Sequence, residues 1–219
     1  MLIVGAKGFA KEIIEVCHQN KRIENLVLFD NVSADIGSKL YDNFPILKTF
    51  DEAEEYFKTL NNNFTLGLGN PILRYKLRKK FQELGGLLVS TTSSFSQIGS
   101  YGVELGKGCN IFPGISISND VKIGDTCIIY FNTIITHDCI IGDYVEISPS
   151  VTVLGRVSIG SFSQIGAGST ILPDVKIGEN VIVGAGAVVT EDVPDNSLVV
   201  GTPAKFIKDL PHLPKEIVR

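Results

Sequence analysis

The chain of 219 residues has no tryptophan, one methionine and four cysteines, and only 20% of its residues are charged. Twenty basic against 24 acidic side chains leave a formal charge of −4, the wrong sign for a general polyanion binder, so nucleic acid is not expected as a partner. No apolar window approaches the length of a membrane span. Residues 1–16 reach Lys7, Lys11 and Glu12 after a short apolar run and lack the hydrophobic centre of a secretory signal, so a cytoplasmic protein is expected. Cys17, Cys109, Cys127 and Cys139 form no Cys-Xaa-Xaa-Cys pair, which points to neither a disulfide framework nor a metal site. What the chain does have is 44% apolar residues, enough for one generous core or two modest ones, and this excludes disorder. Its 22 glycines favour tight turns over helical core.

Two grammars divide the chain near residue 90. Residues 1–90 alternate short aliphatic runs with amphipathic stretches, the pattern of βαβ units and a parallel sheet. Strands are expected at 2–4, 26–29, 64–68 and 87–89, and helices at 9–19, 51–60 and 72–84, the last one stopped by Gly85 and Gly86. This is a small Rossmann-like α/β unit. Residues 91–219 have a different grammar, a six-residue period that runs from Leu105 to Val193 and is followed by a C-terminal tail. Leu105 and every sixth residue after it through Val189 are aliphatic, and the positions four residues after each, from Cys109 to Val193, hold nothing large or charged. Glycine follows the aliphatic residue at 106, 124, 142, 160 and 178, always 18 apart, so three hexapeptides make one triangular coil of a parallel β-helix and about five coils stack. A weaker coil around Phe95 and Ile98 precedes them, displaced by one residue near Ser100. Cys109, Cys127 and Cys139 fall in the inward series, where cysteine serves as a small apolar residue.

Several residues stand where chemistry could be done. The first strand runs into Gly5-Ala6-Lys7-Gly8 and a helix, where amides and the helix dipole can receive a phosphate; Lys7 and Ala10 replace the second and third glycines of a dinucleotide fingerprint, which disfavours a dinucleotide. Asp30 ends the second strand and a second glycine turn, Gly67-Leu68-Gly69-Asn70, follows the third, giving either a nucleotide crevice or simply two chain reversals. His18 and His212 read as surface residues. His137 faces outward beside Asp138, and one coil on, about 4.8 Å away, stands Gly155. A base beside a bare backbone can set a proton acceptor and an oxyanion donor around one carbonyl, although from spacing alone an exposed structural histidine is the commoner outcome.

The Ile-Gly hexapeptides resemble those of the left-handed β-helix acyltransferases, and Gly201-Thr202-Pro203-Ala204-Lys205 resembles the segment that completes their coenzyme A site. The hand comes from the resemblance, since the usual crossover rule favours the opposite one. The whole layout, with Ile3-Val4-Gly5-Ala6, Gly8, Phe29-Asp30, Leu68-Gly69-Asn70 and Ile135-Thr136-His137-Asp138-Cys139, is similar to the branch of sialic-acid O-acetyltransferases and nucleotide-linked amino-sugar N-acetyltransferases.

That resemblance implies His137 as general base, Asp138 as the acid that orients it and Gly155 as donor to the thioester oxygen. It implies Gly166, Ala167, Gly184 and Ala185 along the pantetheine path, Lys205 near the coenzyme's phosphates, and Gly5, Lys7, Gly8, Asp30, Gly69 and Asn70 around the nucleotide sugar. Many members carry histidine where this chain has Phe9. The activity implied is acetyl-coenzyme A dependent N-acetylation of a nucleotide-linked 4-amino-4,6-dideoxy sugar for surface glycans such as lipopolysaccharide or capsule, by a homotrimer with active sites between subunits, without a metal. O-acetylation of sialic acid or another glycan precursor is the near alternative. A catalytically silent sugar-nucleotide-binding protein is the alternative of another class, and coenzyme A binding separates it from the enzyme.

Overall fold

The computed structural model describes residues 1–217, so the last two residues expected in the second domain lie outside the described residues. The chain forms two compact units, Met1–Ser94 and Phe95–Arg219. In the first, strands β1 (Leu2–Val4), β2 (Val27–Phe29), β3 (Lys39–Leu40), β4 (Phe44–Leu47), β5 (Asn63–Leu66) and β6 (Leu87–Leu88) form one sheet in the order β3-β4-β2-β1-β5-β6. All neighbours are parallel except β3 and β4. Helix α1 (Gly8–Gln19) buries Ala10, Ile13, Ile14 and Cys17, the spacing of one helical face. Helix α2 (Phe50–Thr59) opens on a reciprocal capping box between Thr49 and Glu52, and α3 (Pro71–Glu83) on Asn70, whose Oδ1 accepts from the Leu73 amide at 2.9 Å. Phe29, Phe50 and Phe81 meet beneath α2 and α3, with ring centroids 5.0–5.9 Å apart.

Two strands here were not expected. Pro45 lies inside β4, and a proline in a short run argues against a strand when only the sequence is considered. The segment is extended because Leu28 and Phe29 of β2 pair with Ile46 and Leu47. Helices begin one residue earlier than expected, and β5 stops at Leu66, two residues before the expected end, because Gly67 leaves the sheet to approach Gly5.

The second unit is the left-handed parallel β-helix. Two-residue strands pair with strands 18 residues further on along three faces, as in Ser116↔Ile134, Lys122↔Ile140 and Asn110↔Ile128. Ile98 pairs with Ile117, 19 residues on, so the displacement near Ser100 is real and absorbs one residue. The inward positions from Cys109 on, including Cys127 and Cys139, are buried, whereas Leu105, at the head of the series, is 39% exposed. Corner residues six apart take left-handed backbone conformations, Asp120 at φ 57, Asn132 at 58 and Asp138 at 60 among them. One expectation fails at the last coil. Val193 pairs with Ile177 instead of stacking on Val175, and Leu198 pairs with Ile182, so the coil there is 16 residues long. The amide of Lys176 is met by the Asp192 carboxylate at 2.7 Å, which closes the shorter turn. A hairpin, Ser197–Gly201 against Ala204–Asp209, follows the last coil.

Candidate active site

His137 and Asp138 occupy one corner of the coil, each side chain 54% exposed. Their backbone is fixed from both sides: the Asp138 amide donates to the Asn119 carbonyl at 3.3 Å, and the Arg156 amide to the His137 carbonyl at 3.0 Å. Cys139, which follows, is sunk into the coil, and burial pushes its thiol above the ordinary value, leaving it neutral and inert near pH 7. The Asp138 carboxylate lies 2.6 Å from His137 Nδ1. That contact assigns the proton to Nδ1 and leaves Nε2 as the basic nitrogen.

The imidazole lies across Gly155. A Cβ at that position would stand 2.7 Å from His137 Cε1 and 2.8 Å from Nε2, so no side chain fits beneath the ring. The Gly155 amide has a second peculiarity. Along another corner the same amide is claimed by a side chain one coil on: Lys107 by Asp125 at 2.8 Å, Asp125 by Asp143 at 2.7 Å, Asp143 by Ser161 at 3.0 Å. In the histidine column Asn119 still claims the Tyr101 amide at 3.2 Å, but the residue stacked after Gly155 is Pro173, which has no side-chain oxygen. Among the described residues nothing accepts from the Gly155 amide. A basic nitrogen and an unclaimed N–H thus lie side by side, the pair that acyl transfer needs.

Gly166 with Ala167 and Gly184 with Ala185 gather at a different corner, five and eight hexapeptides along from His137. Gly166 and Gly184 are glycines because a Cβ would run into the Ala185 amide and into Val200. Ala167 and Ala185 are exposed and are followed by Gly168 and Gly186, both at φ 68 with open space beyond, which makes a smooth shelf. The terminal hairpin is tied to this corner by Thr202 Oγ1 on the Gly186 carbonyl at 3.2 Å, and it carries the exposed Lys205. Within one chain, then, shelf and base do not share a groove.

In the first unit the two glycine turns do come together. Gly5, at φ 122, faces Gly67 so closely that a Cβ would overlap the Gly67 carbonyl. Gly8 opens α1 with nothing within 4 Å of a would-be Cβ, and Lys7, exposed, reaches Asp35 at 3.1 Å. Asp30 Oδ1 accepts from the amides of Val32 and Ser33 at 3.0 and 2.8 Å; partial burial pushes the carboxyl up, but these amides outweigh it and hold it below the usual range. Asp30 therefore also builds the loop after β2, and Asn70 also caps α3. Sequence reading missed Arg74, fully buried with its guanidinium on the Gly69 carbonyl, and the ion pair of Arg156 with Asp174. Nothing in the helical pattern marks Arg74 as buried, whereas the 18-residue spacing of Arg156 and Asp174 was there to be read.

Among the described residues no group of His, Cys, Asp and Glu could hold a metal ion, and no helix is long and apolar enough to cross a membrane. A coil of hexapeptides with a solvent-facing imidazole laid over a bare, unclaimed amide defines an acyl-transferring hexapeptide-repeat protein. Residues 120–155 and 156–191 match the bacterial transferase hexapeptide (six repeats) family, and residues 1–81 match the PglD N-terminal domain. The crystal structure of PerB from Caulobacter crescentus in complex with CoA and GDP-perosamine is 30% identical, covering 94% of this chain and 96% of that one at a TM-score of 0.86. WeeI from Acinetobacter baumannii AYE is 29% identical over 94% of this chain and 98% of that one, with a TM-score of 0.86. The acetyltransferase domain of PglB from Neisseria gonorrhoeae, solved with acetyl coenzyme A, is 25% identical over the same shares at 0.84. No curated protein matches the chain significantly. The chain belongs to the hexapeptide-repeat acyltransferase family, in the branch of sialic-acid O-acetyltransferases and nucleotide-linked amino-sugar N-acetyltransferases.

Proposed function

We propose that the protein transfers the acetyl group of acetyl-coenzyme A to the amine of a nucleotide-linked 4-amino-4,6-dideoxy sugar, in the cytoplasm, for surface glycan synthesis. The observation that carries this reading is the His137 imidazole, Nδ1 held by Asp138 at 2.6 Å, lying over Gly155 with its unclaimed amide. The amine nitrogen attacks the thioester carbonyl carbon. His137 Nε2 takes the proton the nitrogen loses, the Gly155 N–H receives the charge gathering on the carbonyl oxygen, and the C–S bond breaks to release coenzyme A. Asp138 stabilises the imidazolium without itself being protonated.

The paired turns at Gly5, Lys7 and Gly8 and at Gly69 and Asn70, with Asp30, supply amides, a cation and a carboxylate for the nucleotide sugar. The relative solved with CoA and GDP-perosamine, also as variants in which one histidine is replaced by asparagine or alanine, supports an amino-sugar nucleotide as substrate. Gly166, Ala167, Gly184 and Ala185 form the shelf for pantetheine, and Lys205 meets the phosphates. Because shelf and base lie at different corners of one coil, the active form is a homotrimer in which neighbouring subunits complete each site. Thiol release from acetyl-coenzyme A, measured with UDP-, dTDP- and GDP-linked amino sugars in turn, tests the proposal. One of them should give turnover, whereas release with a hydroxyl sugar alone would favour O-acetylation. Failure to bind coenzyme A would leave a silent sugar-nucleotide-binding protein.

A further inference from the structure

The corner that carries His137 continues as a column of residues one coil apart, Asp120, Asp138, Arg156 and Asp174, with φ of 57, 60, 63 and 66. Arg156 is the one cation in it and has a carboxylate on each side. Its Nε and Nη2 donate to Asp174 Oδ1 and Oδ2 at 2.6 and 2.8 Å, a bidentate pair facing away from the base. Its other neighbour, Asp138, has Oδ2 on His137 Nδ1 at 2.6 Å. The Arg156 amide donates to the His137 carbonyl, so the arginine side chain starts from the residue stacked directly on Asp138. The hydrogen bonds and charge of Asp174, and to a smaller extent the charge of Asp138, push the guanidinium above its ordinary pKa.

We propose that Asp174 is a positioning residue for the transfer reaction: by holding the Arg156 guanidinium on its own side, it keeps the arginine from taking the Asp138 carboxylate away from His137. This rests on His137 being the base. A guanidinium engages both oxygens of a carboxylate, and the His137 Nδ1–H needs one of those oxygens, so Asp138 cannot serve the two donors equally well. The remaining groups that face His137 do not substitute for Asp174. Asn119 is neutral, Asp120 lies beyond Asp138, and the Cys139 thiol is buried and uncharged.

The test is Asp174→Asn, which is nearly isosteric and sits on a side chain 64% exposed, so the coil and its thermal midpoint should be kept. Exposed pairs are weak, so the competition is a matter of population: kcat should fall about three- to ten-fold with KM for both substrates unchanged, and the acid limb of the kcat/KM profile should move to lower pH. Arg156→Gln alone should keep kcat, and Arg156→Gln with Asp174→Asn should restore both kcat and the acid limb, because the competitor is gone. An Asp174→Asn enzyme with unchanged kcat and acid limb overturns the proposal. So does a double variant as slow as the single one, since the loss would then come from the stack itself. Failure of the base assignment reads differently, as normal turnover in His137→Asn. In that case the ring-proton resonances of His137 still report whether Asp174→Asn alters its titration and whether the double variant reverses the change.

Discussion

Replacing His137 by asparagine separates the base from the scaffold. An amine whose pKa is near the value of about 8 for an α-amino group is largely ammonium at neutral pH, with no lone pair for attack. A proton must leave during the reaction, and an imidazole, with an ordinary pKa of about 6.5, suits the task. His137 is the one histidine placed on the coils, since His18 lies in α1 and His212 follows the terminal hairpin. Asparagine keeps a donor for Asp138 and removes the basic nitrogen. The structure says what this costs in folding: the ring is half exposed and among the described residues makes no hydrogen bond besides the one to Asp138, while the backbone bonds of this turn run through Asn119 and Arg156 and survive. The thermal midpoint should therefore change little, as for most surface substitutions, which stay within about 0.5 kcal/mol. A positioned base is worth about 10² to 10⁴ in rate, so kcat should fall by that factor, about 2.7 to 5.4 kcal/mol of barrier. Thiol release at saturating substrates measures kcat, and coenzyme A binding by calorimetry checks that the shelf is intact. A folded His137→Asn enzyme that acetylates at close to the original rate would refute the base assignment and the mechanism with it.

Gly155→Ala puts a methyl 2.7–2.8 Å from the imidazole, which must swing off Gly155, so kcat should drop at least ten-fold while the fold persists; undiminished turnover would mean the ring does not act from this position. Asp30→Ala removes both a charge-assisted contact and the acceptor for Val32 and Ser33, and KM for the nucleotide sugar should rise about ten-fold with coenzyme A affinity unchanged; an unaltered KM places the nucleotide elsewhere. Because the folded pKa of Asp30 is depressed, its contribution to stability is present above the ordinary carboxylate value and is lost as pH falls through the depressed one, so in urea titrations Asp30→Asn should be less stable than the wild type near pH 5, with the gap narrowing as pH falls through the depressed value. Native mass should be three times the 23.7 kDa of the chain, and a fully active monomer would exclude sites shared between subunits.

The sequence determined the coil because a period of six leaves each position a single role. An aliphatic residue every sixth place must point inward, a glycine every 18 places marks the point where backbones stack, and the fixed phase puts Gly155 beside His137 before any coordinates exist. Even the Asp138 contact follows from neighbours in the chain. In the first unit the periodicities of three helices and four strands were also legible, because each is a local pattern of burial. What the tertiary structure alone decided is where local pattern and final environment part. Pro45 lies in a strand because β2 supplies a partner, and Val193 steps two residues out of phase because Asp192 closes a shorter turn. Arg74 is buried in a helix whose sequence reads as polar, because the second glycine turn offers its carbonyl. Asp30 and Asn70 spend side-chain oxygens on their own loops, a use that depends on dihedral angles and not on residue type. The vacancy at the Gly155 amide is of the same kind: it exists because the acceptor that serves other corners is missing from one proline one coil away, and only the stacked backbone makes those residues neighbours.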